Sequence, residues 1–403
     1  MQFNYISLFY YFKSVISGRD VIDTTPMMTW MCFEAFDRTL RDIMKNVDEF
    51  NNCKPFGGKV VLLGGDFRQI LPVIKKASRY DIIKSSIQYS DLWQYCKVLK
   101  LTKNMRLNTT QKRQTVKEIK EFDDWILKIG DGEMNLNENG ESMVEIPQQL
   151  LILNTNSPLM ALVQFVYPDF VLNMRNPGYF YDGAILCPTN DCVEKVNDFM
   201  LSLLSDEEIT YLSSDTPCQS DQDEEMQSEW FTSEFLNEIK CSGILNHRLK
   251  LKTGVSIMLL RNIDQAKGLC NETRLQVNHL GKNVISAIVI TGKNIGDKIF
   301  IPRMDLVPSD SGLPFKFQRR QFPISLCFAM TINESQGQSL SRVGLYLPRP
   351  IFTHGQLYVA ISRVKTKKGL KILILDEDGN ITNTTKNIVY KDIFKTLLTK
   401  TKL

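Results

Sequence analysis

The sequence predicts an α/β fold built on parallel sheets, with a β-rich insert. Three observations carry this reading. Short apolar runs such as Val60–Leu63, Ala184–Cys187, Val343–Leu347 and Leu370–Leu375 are bounded by turns and separated by helix-like stretches. That is the pattern of strands buried on both faces of a parallel sheet. Polar residues follow several of these runs at once, at the carboxyl ends where open α/β sheets hold their ligands. Between Leu249 and Leu306 the pattern changes to short alternating stretches, VSIMLL, RLQVNHL, VISAIVI and KIFI, set apart by Gly and Asn turns. That predicts a small β-barrel insert.

The whole-chain numbers bound the answer. The chain has 403 residues, 43% hydrophobic and 23% charged, enough for two or three domains with their own cores. A net charge of +4 permits nucleic acid as a partner without indicating it. The nine cysteines include no CxxC pair, and no histidine lies near Cys187 and Cys192. Reduced thiols are expected rather than disulfides or zinc. No apolar run approaches the length of a membrane span.

In chain order, residues 1–18 are aromatic and weakly apolar, without the basic start of a signal peptide, and residues 1–22 carry no assigned role. Val21-Ile22 ends in Asp23, as a strand delivering an acid to a site would, but Arg19-Asp20 puts two charges where a central strand should be apolar, the pattern of a damaged or edge-placed strand. Cys32–Met44 reads as a helix with Phe33, Phe36, Leu40 and Met44 on one face. Val60–Leu63 is a buried strand, and Gly64-Gly65 lets the backbone turn sharply before Asp66, Arg68 and Gln69. A polar helix and loop follow to Asp91, then a strand from Trp93 to Leu101 whose exit carries Arg106. Phe122–Gly132 is a helix closed by glycine. Ala184–Cys187 is a strand and Glu194–Leu204 a helix, while Ser213–Glu229 is an acidic excursion outside the core. After the insert, Ser325–Ile332 is one buried strand, and NESQGQSL is a turn opening a helix. The strand VGLYLP, the helix HGQLYVAISRV and the strand GLKILIL close the chain.

Polar clusters therefore follow several elements: Asp66 with Gln69, Arg106, Thr331 through Gln338, and Ser362-Arg363. A nucleotide-driven motor needs such a set. An acid and a glutamine can hold Mg2+ and the attacking water, arginines can stabilise charge on the γ-phosphate, and a Ser/Gln/Gly turn can offer backbone N–H groups to phosphate.

GGDFRQILPV, LTKNMRL, AMTINESQGQSLSRVGLYLP and HGQLYVAISRV resemble the ordered motifs of superfamily one DNA helicases of the petite-integration-frequency (Pif) type. CFEAFDRTLRDIM, EFDDWILKIGDG and PFKFQRRQFPISLCFAMTI are similar to the plant and Helitron-transposon forms of that family. The resemblance runs from Asp23 to the C-terminus. It implies ATP-dependent 5′→3′ unwinding of DNA on two RecA-like domains, with ATP and Mg2+ as cofactors. It further implies single-stranded and forked duplex DNA as partners, a nuclear location, no membrane, and roles in repair, recombination and telomere maintenance. The implied domains are a truncated first RecA-like domain over 23–106, a second over 107–248 and 320–403, and an SH3-like insert over 249–319.

The same resemblance implies residue roles. Asp66 and Gln69 sense the γ-phosphate, and Arg106 and Arg363 reach it from the second domain. Gln336 and Gly337 link ATP to the DNA strand, with Thr331 and Ser335 beside that strand. Asp23 holds Mg2+. Arg319 and Arg320, in KFQRRQFP, are expected near the DNA-facing groove.

The departures from the pattern are as specific. No G-x-x-x-x-G-K-[ST] phosphate loop occurs in the 403 residues. Thr24 stands where the family has the glutamate that activates water. Glu334 stands where lysine is usual, and Glu272 where glycine is usual. Three readings stay open from sequence: an active helicase, a non-catalytic DNA-binding remnant of a transposon helicase, and a truncated copy that folds poorly.

Overall fold

A computed structural model describes residues 6–10, 25–101, 113–133, 140–153, 155–176, 178–218, 232–239, 245–292, 294–307 and 315–400. Asp23, Thr24 and Arg106 lie outside these residues. The chain packs as two compact units. The first holds 1–165, 186–189 and 331–403, and the second holds 166–185 and 190–330.

In the first unit, Arg342–Leu347 and Leu370–Ile374 form a parallel pair in which Val343 faces Leu370. All seven residues of the helix Gln356–Ser362 are buried, so it is a core helix rather than an amphipathic surface one. The helix Arg113–Asp131 packs against it and buries Phe122, Ile126 and Ile129. This helix starts well before the expected Phe122, and Gly132 ends it at φ +66°. A two-stranded antiparallel ribbon, Glu141–Glu145 with Thr384–Ile388, lies beside the core helix.

The Val60–Leu63 run departs from expectation. Only Leu62–Leu63 is strand, and Val60 is 38% exposed. Its neighbour is antiparallel: Ile6–Tyr10 lies between Leu62–Leu63 and Cys96–Lys100 and pairs antiparallel with both. The two outer strands therefore run in the same direction without touching. An aromatic N-terminal stretch with no role in the sequence reading takes up their hydrogen bonds. The third strand starts at Cys96 because Asp91–Tyr95 forms a 3-10 turn, capped by Ser90.

The helix Trp30–Met44 buries Phe33 but leaves Phe36 exposed. Asp37 takes the buried place instead. It pairs with Arg41 at 2.8 Å and accepts the Phe56 N–H. The expected polar helix after Lys75 is Arg79–Lys84, closed at its start by a Ser78–Asp81 capping box.

The second unit carries the β-rich region. Its main sheet runs Lys298–Pro302, Val284–Val289, Arg274–Leu280, Ser256–Leu259 and Ile324–Leu326, all antiparallel. Tyr167, Phe170, Phe180 and Phe328 form an aromatic cluster, with ring centroids 5.4 Å apart for Phe170 and Phe328. The helix beside it is Asn190–Ser202, four residues earlier at its start than Glu194.

Two expectations are corrected here. Ser325–Ile332 is not one strand but two, Ile324–Leu326 and Ala329–Thr331. The Asn197 side chain accepts from the N–H groups of Phe328 and Ala329, taking donors that would continue a ladder. Likewise Ser213–Glu229 is not all excursion. Ser214–Pro217 is a strand paired with Phe317–Gln321. Within it Asp215 is buried against Arg319.

Candidate functional site

The candidate site lies in the first unit. Gly64 and Gly65 lead into Asp66. Gly65 earns its place by contact rather than by a sharp turn: a Cβ there would stand 2.4 Å from Pro26 Cδ. Thr25 N–H donates to Gly64 O at 3.3 Å, so the 3-10 turn Thr25–Met27 lies against this loop.

Asp66 is 1% exposed, and both its oxygens serve the protein itself. Oδ1 accepts from Arg68 N–H at 3.0 Å and from Arg68 Nη1 at 3.4 Å. Oδ2 accepts from the Tyr358 hydroxyl at 2.6 Å. Burial raises the Asp66 pKa against the opposing pull of Arg68 and Tyr358. The phenol of Tyr358 is raised well above its usual range by burial and by Asp66. Asp66 is expected from the sequence to meet nucleotide, and in the structure its carboxylate holds its own loop. Arg68 turns its other edge to Asp131 at the end of the Arg113–Asp131 helix, at 2.7 and 3.2 Å. Burial alone would lower the pKa of Arg68, but the Asp66 and Asp131 carboxylates outweigh it and keep the group charged. Gly130 permits this crossing, since a Cβ there would meet both Tyr358 and Arg68 within 3 Å.

His354 pins the same loop from behind. Tyr390 N–H donates to its Nδ1 at 2.8 Å, so Nδ1 carries no proton and Nε2–H donates to Phe67 O, also at 2.8 Å. Burial pushes its pKa down to about 4. Gly355, at φ +73°, follows. A Cβ there would lie 2.3 Å from Arg68 O, so only glycine lets the two chains touch.

The loop thus presents Gln69. It is 6% exposed, and its Oε1 accepts from Gln336 Nε2 at 2.5 Å, across 267 residues of sequence. Gln336 Oε1 is buried with no hydrogen-bond partner, an acceptor open to a ligand or a water.

Gln336 sits on the turn 331–338, which does not open the helix expected of it; Leu340 instead bridges in parallel to Val364. The turn is closed by its own residues. Thr331 N–H donates to Glu334 Oε2 at 2.8 Å, and Glu334 N–H donates to Thr331 Oγ1 at 3.2 Å. That reciprocal pair is the geometry of a capping box, and it gives Glu334 a structural task. Ser335 was expected beside DNA, but it is fully buried and its hydroxyl donates to Ile332 O. Gly337 is exposed at the tip, at φ +80°.

Arg363 caps the core helix and holds this turn. Its Nε donates to Val359 O, its Nη1 to Ser335 O and Gln338 O, and its Nη2 to Ser362 Oγ, at 2.8 to 3.3 Å. It is 2% exposed, so in this arrangement it positions the turn and does not point at solvent.

The structure therefore brings together Asp66, Gln69, Gln336 and Arg363, with Thr331, Ser335 and Gly337 on the adjoining turn. Sequence reasoning missed Asp131, His354 and Tyr358. The only signals for them were the GDG ending of one helix and the HGQLY start of another.

Arg319 is corrected outright. It lies in the second unit, fully buried, with Asp215 gripped at 2.7 to 3.0 Å and the carbonyls of Leu236, Ile239 and Leu245 accepting its remaining donors. It stabilises a fold and offers nothing to DNA. Arg320 points the other way along the strand, is exposed, and lies 3.4 Å from Asp305.

Among the described residues no group of three or more His, Cys, Asp or Glu side chains could hold a metal ion. No described helix is long and apolar enough to cross a membrane.

Comparison with known proteins gives this site its context. Residues 16–140 match the family model of the PIF1-like helicase, and residues 234–280 match that of the 2B domain of DNA helicase Pif1. Two separate stretches of the chain are thus similar to parts of PIF1-like helicases. The chain is similar to the ATP-dependent DNA helicase PIF1 of Xenopus laevis, 26% identical over 359 residues, covering 88% of this chain and 46% of that protein. It is also similar to human PIF1, at 26% identity with 89% and 46% covered. The Saccharomyces cerevisiae helicase RRM3 is 24% identical, with 92% and 53% covered. The chain spans about half the length of the curated relatives it matches. Among solved structures, a Bacteroides Pif1 in complex with ADP-AlF3 and ssDNA aligns with a TM-score of 0.59 at 21% identity, covering 95% of this chain and 74% of that one. A structure of two Pif1 helicases at forked dsDNA aligns with a TM-score of 0.56 at 24% identity, covering 87% and 68%. These likenesses show an α/β, RecA-like fold for the chain.

Proposed function

We propose that the chain is the core of an ATP-dependent 5′→3′ DNA helicase that acts on single-stranded and forked DNA in the nucleus. In this reading the Gln69–Gln336 pair joins the nucleotide end of the machine to the DNA end. The supporting observation is that contact itself: two carboxamides from motifs 267 residues apart meet at 2.5 Å, with a buried, unpartnered acceptor on Gln336.

The nucleotide would supply a phosphoanhydride bond. Gln69 and Gln336 fit a phosphate edge or an attacking water, since each carboxamide donates and accepts. Asp66 keeps Gln69 in place through the loop, and Arg363 keeps Gln336 in place through Ser335 O. Arg106 and Asp23, as further ligands of phosphate and Mg2+, remain proposals from the resemblance. The domain reading 23–106, 107–248 with 320–403, and an SH3-like 249–319 is proposed on the same ground.

These 403 residues contain no G-x-x-x-x-G-K-[ST] loop and carry Thr24 in place of the activating glutamate. We therefore read the polypeptide by itself as a nucleic-acid binder with impaired turnover. Losing a general base typically costs roughly 10²–10⁴ in rate, and losing the phosphate cradle acts on the same transition state. The test is phosphate release with and without single-stranded DNA. The expected result is no DNA-stimulated release. A fusion that adds a family-type phosphate loop, together with Thr24→Glu, is expected to gain release that Gln69→Ala removes. Release by the unmodified chain, abolished by Arg363→Ala, would return it to the working helicases. A fusion that remains inactive while still binding ATP would sink the helicase reading.

A further inference from the structure

Four cations to which no role was given above gather on one rim of the first unit. Arg342 opens one strand of the parallel pair, and Lys365, Lys367 and Lys368 lead into the other. The two strand starts are locked together. Leu340 N–H donates to Arg363 O at 3.0 Å, and Leu340 bridges to Val364. A Cβ on Gly369 would stand 2.3 Å from Ser341 O, and Val343 is in register with Leu370. Adjacent strands lie about 4.8 Å apart, so Arg342 and the turn Lys367–Gly369 share one edge. Arg342, Lys365 and Lys368 are exposed and Lys367 is half-buried.

No carboxylate among the described residues forms an ion pair with any of the four. The neighbouring helix Arg113–Asp131, which packs on this turn, pairs Lys117 with its own Glu121 at 3.9 Å and gives Asp131 to Arg68. Lys371, one residue into the strand, is already spent on the carbonyls of Gln149 and Leu151. Cations just past a helix often serve its last carbonyls. Here that work is done by others: Arg363 Nε and Ser362 Oγ donate to Val359 O, and Arg363 N–H donates to Ala360 O. The charge on this rim is therefore not consumed inside the fold.

We propose that Arg342, Lys365, Lys367 and Lys368 form a docking rim for the phosphate backbone of single-stranded nucleic acid, separate from the Gln69–Gln336 site. The proposal rests on nucleic acid being the ligand in the reading above. Phosphate contacts carry no sequence preference and release counterions, so the rim adds salt-dependent, sequence-independent affinity.

The experiment measures binding of the full chain to fluorescent oligo-dT across a salt series. The variant K365Q/K367Q/K368Q is compared with K97Q/K195Q/K282Q, which removes the same charge from exposed lysines elsewhere. The rim variant is expected to bind about tenfold more weakly at low salt, with a log–log salt slope shallower by about two, at about 0.7 per lost single-strand contact. The control triple and K365R/K367R/K368R are expected to stay near wild type. Equal affinity and slope in the rim variant would overturn the proposal, as would an equal loss in the control triple. Poly-glutamate that competes as well as oligo-dT at equal charge would also overturn it. Wild-type chain that binds no oligo-dT would remove the nucleic-acid reading as well as the rim, whereas a binding wild type with an unchanged rim variant removes only the rim.

Discussion

The hydroxyl of Tyr358 donates to Asp66 Oδ2 at 2.6 Å, joining residues 292 apart in a buried bond. It ties the core helix to the loop that presents Gln69. That helix ends in Arg363, which grips the turn presenting Gln336. The two glutamines are therefore held by one closed circuit of contacts.

Tyr358→Phe removes the hydroxyl that joins the core helix to Asp66 without changing its shape. The Asp66 carboxylate would lose a charge-assisted bond while remaining buried. A loss of about 1.5–3 kcal/mol in urea unfolding is expected, with the slope m unchanged. A loss below about 0.5 kcal/mol, the scatter of ordinary surface changes, would show that Arg68 alone satisfies the carboxylate.

His354 sets a pH dependence with a definite sign. Its folded pKa, about 4, lies below the ordinary 6.5 because burial penalises the charged ring. Between those values the unfolded chain binds the extra proton, so stability rises with pH there and is lost as pH falls toward 4. The shift corresponds to roughly 3 kcal/mol. Stability curves at several pH values should show wild type losing this amount more than His354→Gln between pH 6.5 and 4. Parallel curves would mean that another group titrates.

Arg319 tests the corrected assignment. Arg319→Met leaves Asp215 charged and buried, which costs roughly 3–5 kcal/mol. Combining it with Asp215→Leu should recover much of that loss, because the orphaned charge goes too. A double variant no more stable than the single one would show that the carbonyls of Leu236 and Leu245, not the ion pair, need the guanidinium.

Glu272 sits at φ +70°, in the left-handed region that L side chains adopt at a cost. This is the position where the family resemblance expects glycine. Glu272→Gly should stabilise by about 0.5–1 kcal/mol, the strain relieved less the entropy of glycine. A melting temperature that falls instead would show that the Glu272 side chain makes a contact worth more than the strain.

Much of this protein was legible in its sequence. Periodicity located the Gly183–Cys187, Arg342–Leu347 and Leu370–Ile374 strands, because a strand buried on both faces must be apolar without a break. Alternation located the antiparallel sheet between Ser256 and Pro302. Motif order singled out Gln69 and Gln336 before their contact was known. Tertiary structure decided what periodicity cannot encode, namely which partner each polar group finds. Asp66 and Arg363 read as ligands of phosphate because they are charged and follow buried elements. The structure buries them among Tyr358, Arg68 and the turn carbonyls, since a charge removed from water must be answered by its neighbours. Arg319 and Arg320 are adjacent and chemically identical, yet strand alternation buries one on Asp215 and exposes the other. The N-terminal strand likewise has its direction set by the edges available to it, a property of the assembled sheet and not of the residues Ile6–Tyr10.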